Sequence, residues 1–164
     1  MCRHYQHARM SKPVPSSLAP YDLEAYLHEK IPLTKAMGIR VIETGPRQLV
    51  LEAPLAPNVN HLGSVFGGAL HAVPTLACYA ALWAMLVEGG VDGHVVVKKS
   101  YANYRQPVKG TFRATCQRPP PGIAAEFMDD LRRHKKARMD LESVVQGENG
   151  KAAVEFHGSF VAVL

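Results

Sequence analysis

The chain has 164 residues, a length that corresponds to one domain and can bury a sizeable core without metals or disulfides. Its composition, 47% hydrophobic and 20% charged, is that of a globular protein and excludes a disordered or fibrous one. The formal net charge of +5 is compatible with anionic ligands, including phosphate groups and nucleic acid, and selects none of them.

Residues 1–20 hold three prolines and few large apolar side chains, and we expect a flexible leader there before a single domain at residues 21–164. The start of the chain lacks the apolar segment of a secretory signal. The three cysteines, Cys2, Cys78 and Cys116, have no metal-binding or CxxC spacing and indicate a reducing compartment. We therefore expect a cytoplasmic protein.

The first half of the predicted domain alternates short elements with one long apolar helix. Leu23, Tyr26 and Leu27 recur at helical spacing, and Gly45-Pro46 is typical of a hairpin between two short strands. The predicted elements are a helix at residues 21–30, strands at 39–44 and 47–54, and an apolar helix from about residue 65 to residue 87.

The second half is rich in strands. Ile123, Phe127 and Leu131 recur every four residues and predict a helix that carries the basic run at residues 132–138. Gly147 to Gly150 are typical of a hairpin turn. The predicted strands lie at residues 94–105, 111–117, 138–146 and 151–164.

This order of elements predicts an α+β fold in which a curved antiparallel sheet wraps around one long central helix. No alternating strand–helix–strand units are present, which argues against a doubly wound parallel sheet. The longest apolar stretch, residues 72–87, is too short to span a bilayer and contains Pro74 and Thr75, so we expect no membrane partner.

Residues 58–71, with the sequence NVNHLGSVFGGALH, place two glycines where the apolar helix begins. The first amides of a helix have no helical acceptor, and glycine leaves them uncovered. Gly67 and Gly68 could therefore stabilise the negative charge that develops on a thioester carbonyl. Asn60 and His61, just upstream, could position the carbonyl or a water molecule, and histidine can accept a proton near neutral pH.

Simpler interpretations of the same residues stay open. Paired glycines also permit close packing, and a histidine in a loop is often a structural hydrogen-bond partner. His71, Thr75 and Tyr79 share one helix face because they recur every four residues. That stripe could be tolerated core polarity or a contact between subunits.

The motif resembles that of the hotdog-fold thioesterase superfamily. The similarity rests on Asn60, Gly63 and Phe66-Gly67-Gly68 at the start of an apolar helix, and on the QPVKG segment at residues 106–110. It is strongest to the thioesterase domain that follows an N-acetyltransferase domain in some bacterial proteins. This resemblance implies a hotdog fold, a dimer with active sites at the subunit boundary, and a catalytic amide at Gly67.

Two positions depart from the related phenylacetyl-CoA-type thioesterases. Phe66 stands where those enzymes have a histidine, and Thr75 stands where they have the catalytic aspartate. Residues 53–87 contain no Asp or Glu at all. A base would then have to come from His61 or His71, unless the chemistry is slow or is not hydrolysis.

Basic residues outside the motif are weaker candidates. Strand alternation places Lys99, Tyr101, Asn103 and Arg105 on one face, where the two cations could meet coenzyme A phosphates or form an ordinary polar surface. The basic run at residues 132–138 has no interleaved aromatic residues, so we expect a solvated face and no nucleic-acid partner. The scattered histidines lack metal-ligand spacing, and we predict no metal and no cofactor.

The leading interpretation is an acyl-thioester hydrolase, with acyl-CoA as substrate. We expect a homodimer or a dimer of dimers, because the central helix is very apolar and the strand at residues 94–105 offers an edge. A non-catalytic acyl-CoA-binding module is the first alternative, and a hydroxyacyl-thioester dehydratase is the second. The predicted catalytic residues are Asn60, His61, Gly67, Gly68 and Thr75, and the predicted substrate contacts are Phe66, His71, Lys99 and Arg105.

Overall fold

A computed structural model of the chain describes residues 18–164, so most of the predicted leader lies outside the described residues. The helices are α1 (Pro20–Lys30), α2 (Pro32–Ala36), α3 (Gly67–Glu88) and α4 (Pro121–His134). The strands are β1 (Arg40–Thr44), β2 (Gln48–Ala53), β3 (His94–Tyr104), β4 (Phe112–Gln117), β5 (Lys136–Gln146) and β6 (Ala152–Val163).

The six strands form one antiparallel sheet in the order β1-β2-β4-β5-β6-β3. The hairpins predicted at Gly45-Pro46 and at Gly147 to Gly150 connect β1 to β2 and β5 to β6. The sheet wraps around α3, which contacts β2 through β6. The predicted α+β architecture, an antiparallel sheet around one long central helix, is therefore confirmed.

Helix α3 forms the centre of the core because small and large apolar residues share its buried surface. Leu82 and Val73 are almost completely buried. Small side chains on the same helix allow its backbone to come close to the sheet. By length and composition α3 could cross a membrane, yet here it is the core helix, with 56% of its most apolar window buried. The buried alanines of α3 are Ala69, Ala77, Ala80, Ala81 and Ala84.

The basic run does not lie on one helix, contrary to the sequence prediction. Helix α4 ends at His134, and Lys135 follows with a left-handed backbone at φ 61°. Strand β5 begins at Lys136, and its residues alternate between exposed and buried from there on. The run at residues 132–138 therefore passes from helix to turn to strand, because Ala137 and Met139 are needed in the core.

The two edges of the sheet differ in how they are covered. At the β1 edge, the carboxylate of Glu24 in α1 accepts a hydrogen bond of 2.8 Å from the Val41 amide. Strand β3 pairs with β6 on one side and with no described strand on the other. Its large side chains are exposed, with exposed fractions of 54% for Val96 and 53% for Tyr101. The edge predicted at this strand is therefore present, and it exposes Lys98 and Lys99 as well as these large side chains.

Candidate active site at the start of the central helix

Asn60 organises the loop that leads into α3. Its side-chain oxygen accepts hydrogen bonds from the amides of Leu62 at 2.8 Å and Ser64 at 3.2 Å. Its amide nitrogen donates to the Ser64 hydroxyl at 2.9 Å. Gly63 has φ 75°, a conformation that suits glycine in the tight turn between them. The amide group of Asn60 is thus used inside its own loop.

A second asparagine fixes this loop to the rest of the domain. Asn58 is 5% exposed, and its amide nitrogen donates to the carbonyls of Met37 at 2.9 Å and Pro54 at 2.7 Å. Its own carbonyl accepts the Phe66 amide at 2.7 Å. Sequence reasoning missed Asn58 because nothing in its local pattern distinguishes it from Asn60. The start of α3 is consequently held in place on the loop side.

The first turn of α3 leaves its amides open. The first helical hydrogen bond runs from the Leu70 amide to the Phe66 carbonyl at 3.0 Å, so the amides of the three residues between them have no helical acceptor. A Cβ at Gly67 would meet no atom within 4 Å, whereas a Cβ at Gly68 would collide with the Phe66 ring. The space above Gly67 is therefore open, and Phe66, 57% exposed, borders it.

Strand β3 supplies the opposite wall of this site. The Tyr104 hydroxyl donates to the Gly67 carbonyl at 3.2 Å, and the Ser100 hydroxyl lies 3.1 Å from Nε2 of His71. Ser100 and Tyr104 were missed by sequence reasoning, which considered the opposite face of this strand. A bulge between Val97 and Lys99 turns Ser100 towards the helix.

His71 is half-buried and held from three sides. Its ring makes an edge contact with Phe156, with centroids 5.3 Å apart and planes at 87°. Its carbonyl accepts the Thr75 hydroxyl at 2.7 Å, and Ser100 contacts its imidazole. Thr75 is thus engaged with the helix backbone, as small hydroxyl side chains often are within helices.

An apolar cavity of about 260 Å³ lies further along α3, where Ala72, Thr75 and Leu76 contribute to its lining. Tyr79 lies on its wall, where burial and a 3.2 Å hydrogen bond with the Tyr26 hydroxyl raise the pKa of the Tyr79 phenol above its usual range. The ring of Tyr26 stacks on Trp83 at 3.7 Å. The cavity is therefore bounded by neutral groups. Its lining residues are Ile31, Ala72, Thr75, Leu76, Tyr79, Val97 and Phe160.

Two predicted site residues, Lys99 and Arg105, lie outside this site, and the side chain of a third, His61, is exposed in the loop before α3. Lys99 lines a separate groove of about 540 Å³, and its register with Ser159 places it on the outer face of the sheet. Arg105 is bound to Glu155 at 2.7 Å and 3.0 Å. Within residues 18–164, no three His, Cys, Asp or Glu side chains come together in a way that could hold a metal ion.

A family described as "Putative thioesterase (yiiD_Cterm)" matches residues 21–164, which is almost the whole described chain. The chain belongs to this family. The predicted membership of the hotdog-fold thioesterase superfamily is therefore confirmed. The family match indicates the fold and the general chemistry, and it names no individual site residue.

Solved structures that are similar to this chain support the same family assignment. A protein of unknown function from Chlorobaculum tepidum TLS is 28% identical, with a TM-score of 0.85, over 91% of this chain and 99% of its own. A "putative thioesterase" from Shewanella oneidensis is 27% identical, with a TM-score of 0.80, over 88% and 97%. A thioesterase from Haemophilus influenzae shares the fold at 14% identity and a TM-score of 0.69, over 90% and 92%.

The open space at Gly67 predicts that Gly67→Ala lowers activity without lowering stability. The added methyl meets no protein atom and favours the helix, but it occupies the space through which a ligand would reach the amides. We expect kcat/KM for thioester cleavage to fall roughly 10- to 100-fold. Thiol release and thermal unfolding measure the two effects.

Gly122→Ala is the matched control, because Gly122 also lies in the first turn of a helix and has open space at its Cβ position. It should change neither quantity appreciably. Equal activity in wild type and Gly67→Ala would show that no ligand approaches these amides.

Proposed function

We propose that the protein hydrolyses an acyl thioester whose acyl group is apolar, with acyl-CoA as the leading substrate. Two features of α3 carry the proposal: the open backbone at Gly67, and an apolar cavity of about 260 Å³ that Ala72 and Thr75 of the same helix line. An electron-rich carbonyl needs hydrogen-bond donors, and a hydrocarbon chain needs a dry cavity. Open amides and an apolar cavity on one helix, in a member of a thioesterase family, support the proposal.

In the proposed reaction, the thioester oxygen lies against the Gly67 amide, with the Gly68 amide next to it. These donors stabilise the oxyanion that forms when water attacks the carbonyl carbon. Asn60 contributes by holding the loop before the helix, since its amide is bonded to Ser64. One of two histidines, His61 in that loop or His71 on α3, takes the proton from the water.

The cavity defines the class of acyl group. A volume of about 260 Å³ lies just below the roughly 300–1,000 Å³ of typical small-molecule sites, which suits an acyl group shorter than a long-chain fatty acid. Thr75 lines the cavity with its methyl group available, because its hydroxyl is bonded to the His71 carbonyl. We therefore propose a medium-chain aliphatic acyl group as the preferred substrate.

The decisive test is free-thiol release from a series of acyl-CoA esters, from acetyl to palmitoyl and including an aromatic ester. We expect saturable release well above the rate in buffer, with the highest kcat/KM near an eight-carbon chain. The absence of release from every member would contradict hydrolysis. Binding of octanoyl-CoA without release would instead favour the alternative below.

Filling the cavity tests where the acyl chain lies. Ala72 lines the cavity one residue beyond His71, and Ala72→Phe would occupy part of its volume. We expect kcat/KM for octanoyl-CoA to fall roughly tenfold or more, because an apolar subsite contributes about 1–3 kcal/mol. Activity on acetyl-CoA should change little, so the ratio of the two substrates is the measurement. An unchanged ratio would place the acyl chain elsewhere.

A non-catalytic acyl-CoA-binding module is the second candidate. It is favoured by Thr75, which takes the position of an acidic residue in related enzymes and whose hydroxyl is engaged with the helix backbone. This candidate predicts tight binding of octanoyl-CoA with no thiol release. A hydroxyacyl-thioester dehydratase has less support, since residues 53–87 contain no acidic group.

We also propose that two copies pair through the free edge of β3. Such pairing would cover Val96 and Tyr101 and place a second chain beside the wall formed by Ser100 and Tyr104. Lys99, on the outer face near this edge, is the proposed contact for coenzyme A phosphates. Arg105 is a weaker candidate because Glu155 already binds it. We propose a cytoplasmic location separately, from the spacing of the cysteines.

The pairing predicts a mass of twice the 17.9 kDa chain by light scattering after gel filtration. Val96→Lys should convert the protein to the single-chain mass, because a lysine on an edge strand disfavours pairing. Val144→Lys is the matched control, since Val144 is also exposed but lies on the inner strand β5. A dimer that survives Val96→Lys would place the interface on another surface.

A further inference from the structure

We propose that His71 is the general base of this hydrolysis and that Ser100 is the positioning residue that sets its tautomer. This inference rests on the proposed function, in which either His61 or His71 takes the proton from water, and it assigns that role to His71. Nε2 of His71 lies 3.1 Å from the Ser100 hydroxyl, and Phe156 contacts the ring edge-on. His61, in contrast, is exposed in the loop. A base needs a fixed orientation, and His71 has one.

Helix geometry directs the His71 side chain towards the first turn of α3, although no His71 atom lies within 4 Å of the Cβ position of Gly67. Long side chains on a helix lean towards its N-terminus, over the residues three and four positions earlier. For His71 those residues are Gly68 and Gly67, which have no side chains, and Gly67 has open space above it. Four residues of helix rise about 6 Å, so a carbonyl bound at Gly67 and a water next to the imidazole can be neighbours.

The serine decides which ring nitrogen can act. If Nε2 carries the proton and donates to the Ser100 oxygen, Nδ1 has a free lone pair and can accept a proton from water. In the opposite arrangement, Ser100 would donate to Nε2 and act as an activated nucleophile. The first arrangement is favoured because Ser100 lies on the strand wall, whereas the open amides lie in the first turn of α3.

The groups around His71 also argue against a serine nucleophile. A serine–histidine pair normally relies on a carboxylate that orients and stabilises the imidazolium. The side chains in printed contact with the His71 ring come from two strands, and β3 contributes the Ser100 hydroxyl. Strand β6 presents Phe156. None of these is a carboxylate, so water activation is the simpler use of this histidine.

The step balances as an ordinary hydrolysis. The water oxygen forms a bond to the carbonyl carbon while one water proton moves to Nδ1 of His71, and the oxyanion is held at the Gly67 amide. The carbon–sulfur bond then breaks with its electron pair remaining on sulfur. The sulfur takes the proton from His71, which regenerates the neutral imidazole and releases the thiol and the carboxylic acid.

Steady-state kinetics on octanoyl-CoA test the assignment. His71→Gln should lower kcat/KM roughly 100-fold or more, the usual contribution of a general base. It should also remove the acidic limb of the pH profile, since that limb reports protonation of this imidazole. His134→Gln is the control, because His134 is exposed on α4 and only faces Asp130. Thermal unfolding verifies that each variant is folded.

Ser100 is tested by a pair of variants. Ser100→Ala should lower kcat/KM about tenfold and shift the acidic limb, because the tautomer is no longer fixed. Ser100→Thr retains the hydroxyl and should restore most of the activity. A loss in both variants with an unchanged pH profile would mean that Ser100 only packs against the helix. An acyl adduct on Ser100, seen by mass spectrometry of the intact protein, would overturn the proposal.

The tautomer is measured independently of turnover. Proton–nitrogen correlation spectra of the imidazoles, with the His71 signal identified by its loss in His71→Gln, should show the proton on Nε2. A proton on Nδ1 would overturn the inference. Thiol release that survives in His71→Gln, or that is lost in His61→Ala alone, would remove His71 as the base while leaving the hydrolase intact. No release by the wild type would remove the proposed function itself.

Discussion

The close packing of α3 against the sheet is the constraint on which the rest of the structure depends. Buried alanines such as Ala77 and Ala80 let the helix backbone approach β2 through β6. A helix in that position must begin at one margin of the sheet, and its first amides emerge there beside strand β3. The open space at Gly67 and the wall formed by Ser100 and Tyr104 follow from that placement. Core packing and the candidate site are therefore parts of one arrangement.

The architecture could be predicted from the sequence because its main elements carry strong local signals. The apolar run of α3, the turn residues at Gly45-Pro46 and Gly147 to Gly150, and the pattern of β5 each depend on a few neighbouring residues. The basic run was misassigned because a run of seven residues with six basic side chains looks alike in a helix and in a strand. The change of structure at Lys135 depends on Ala137 and Met139 entering the core, which is a tertiary effect.

The candidate site was predicted only in part, for a reason that lies in strand β3. Simple alternation from the buried Val95 would place Lys99 and Tyr101 towards the helix. The bulge between Val97 and Lys99 inserts one residue, so that Ser100 and Tyr104 face α3 and Lys99 faces outward. A bulge of this kind leaves no clear mark in one sequence. The glycines were found because their need for open backbone is local, whereas the partners of His71 depend on register.

Thr75 stands where related enzymes have an aspartate. This difference removes a candidate base and also removes a negative charge from the candidate site. A carboxylate beside an apolar cavity would have to be desolvated, which costs several kcal/mol unless it is paired. An imidazole differs from a carboxylate in having an uncharged form that can accept a proton, and that form avoids the cost. The hydroxyls of Thr75 and Tyr79 are both hydrogen-bonded within the protein, the first to the helix backbone and the second to Tyr26. Under the proposed function, a histidine base and an apolar cavity whose hydroxyls are hydrogen-bonded would therefore suit the same apolar thioester.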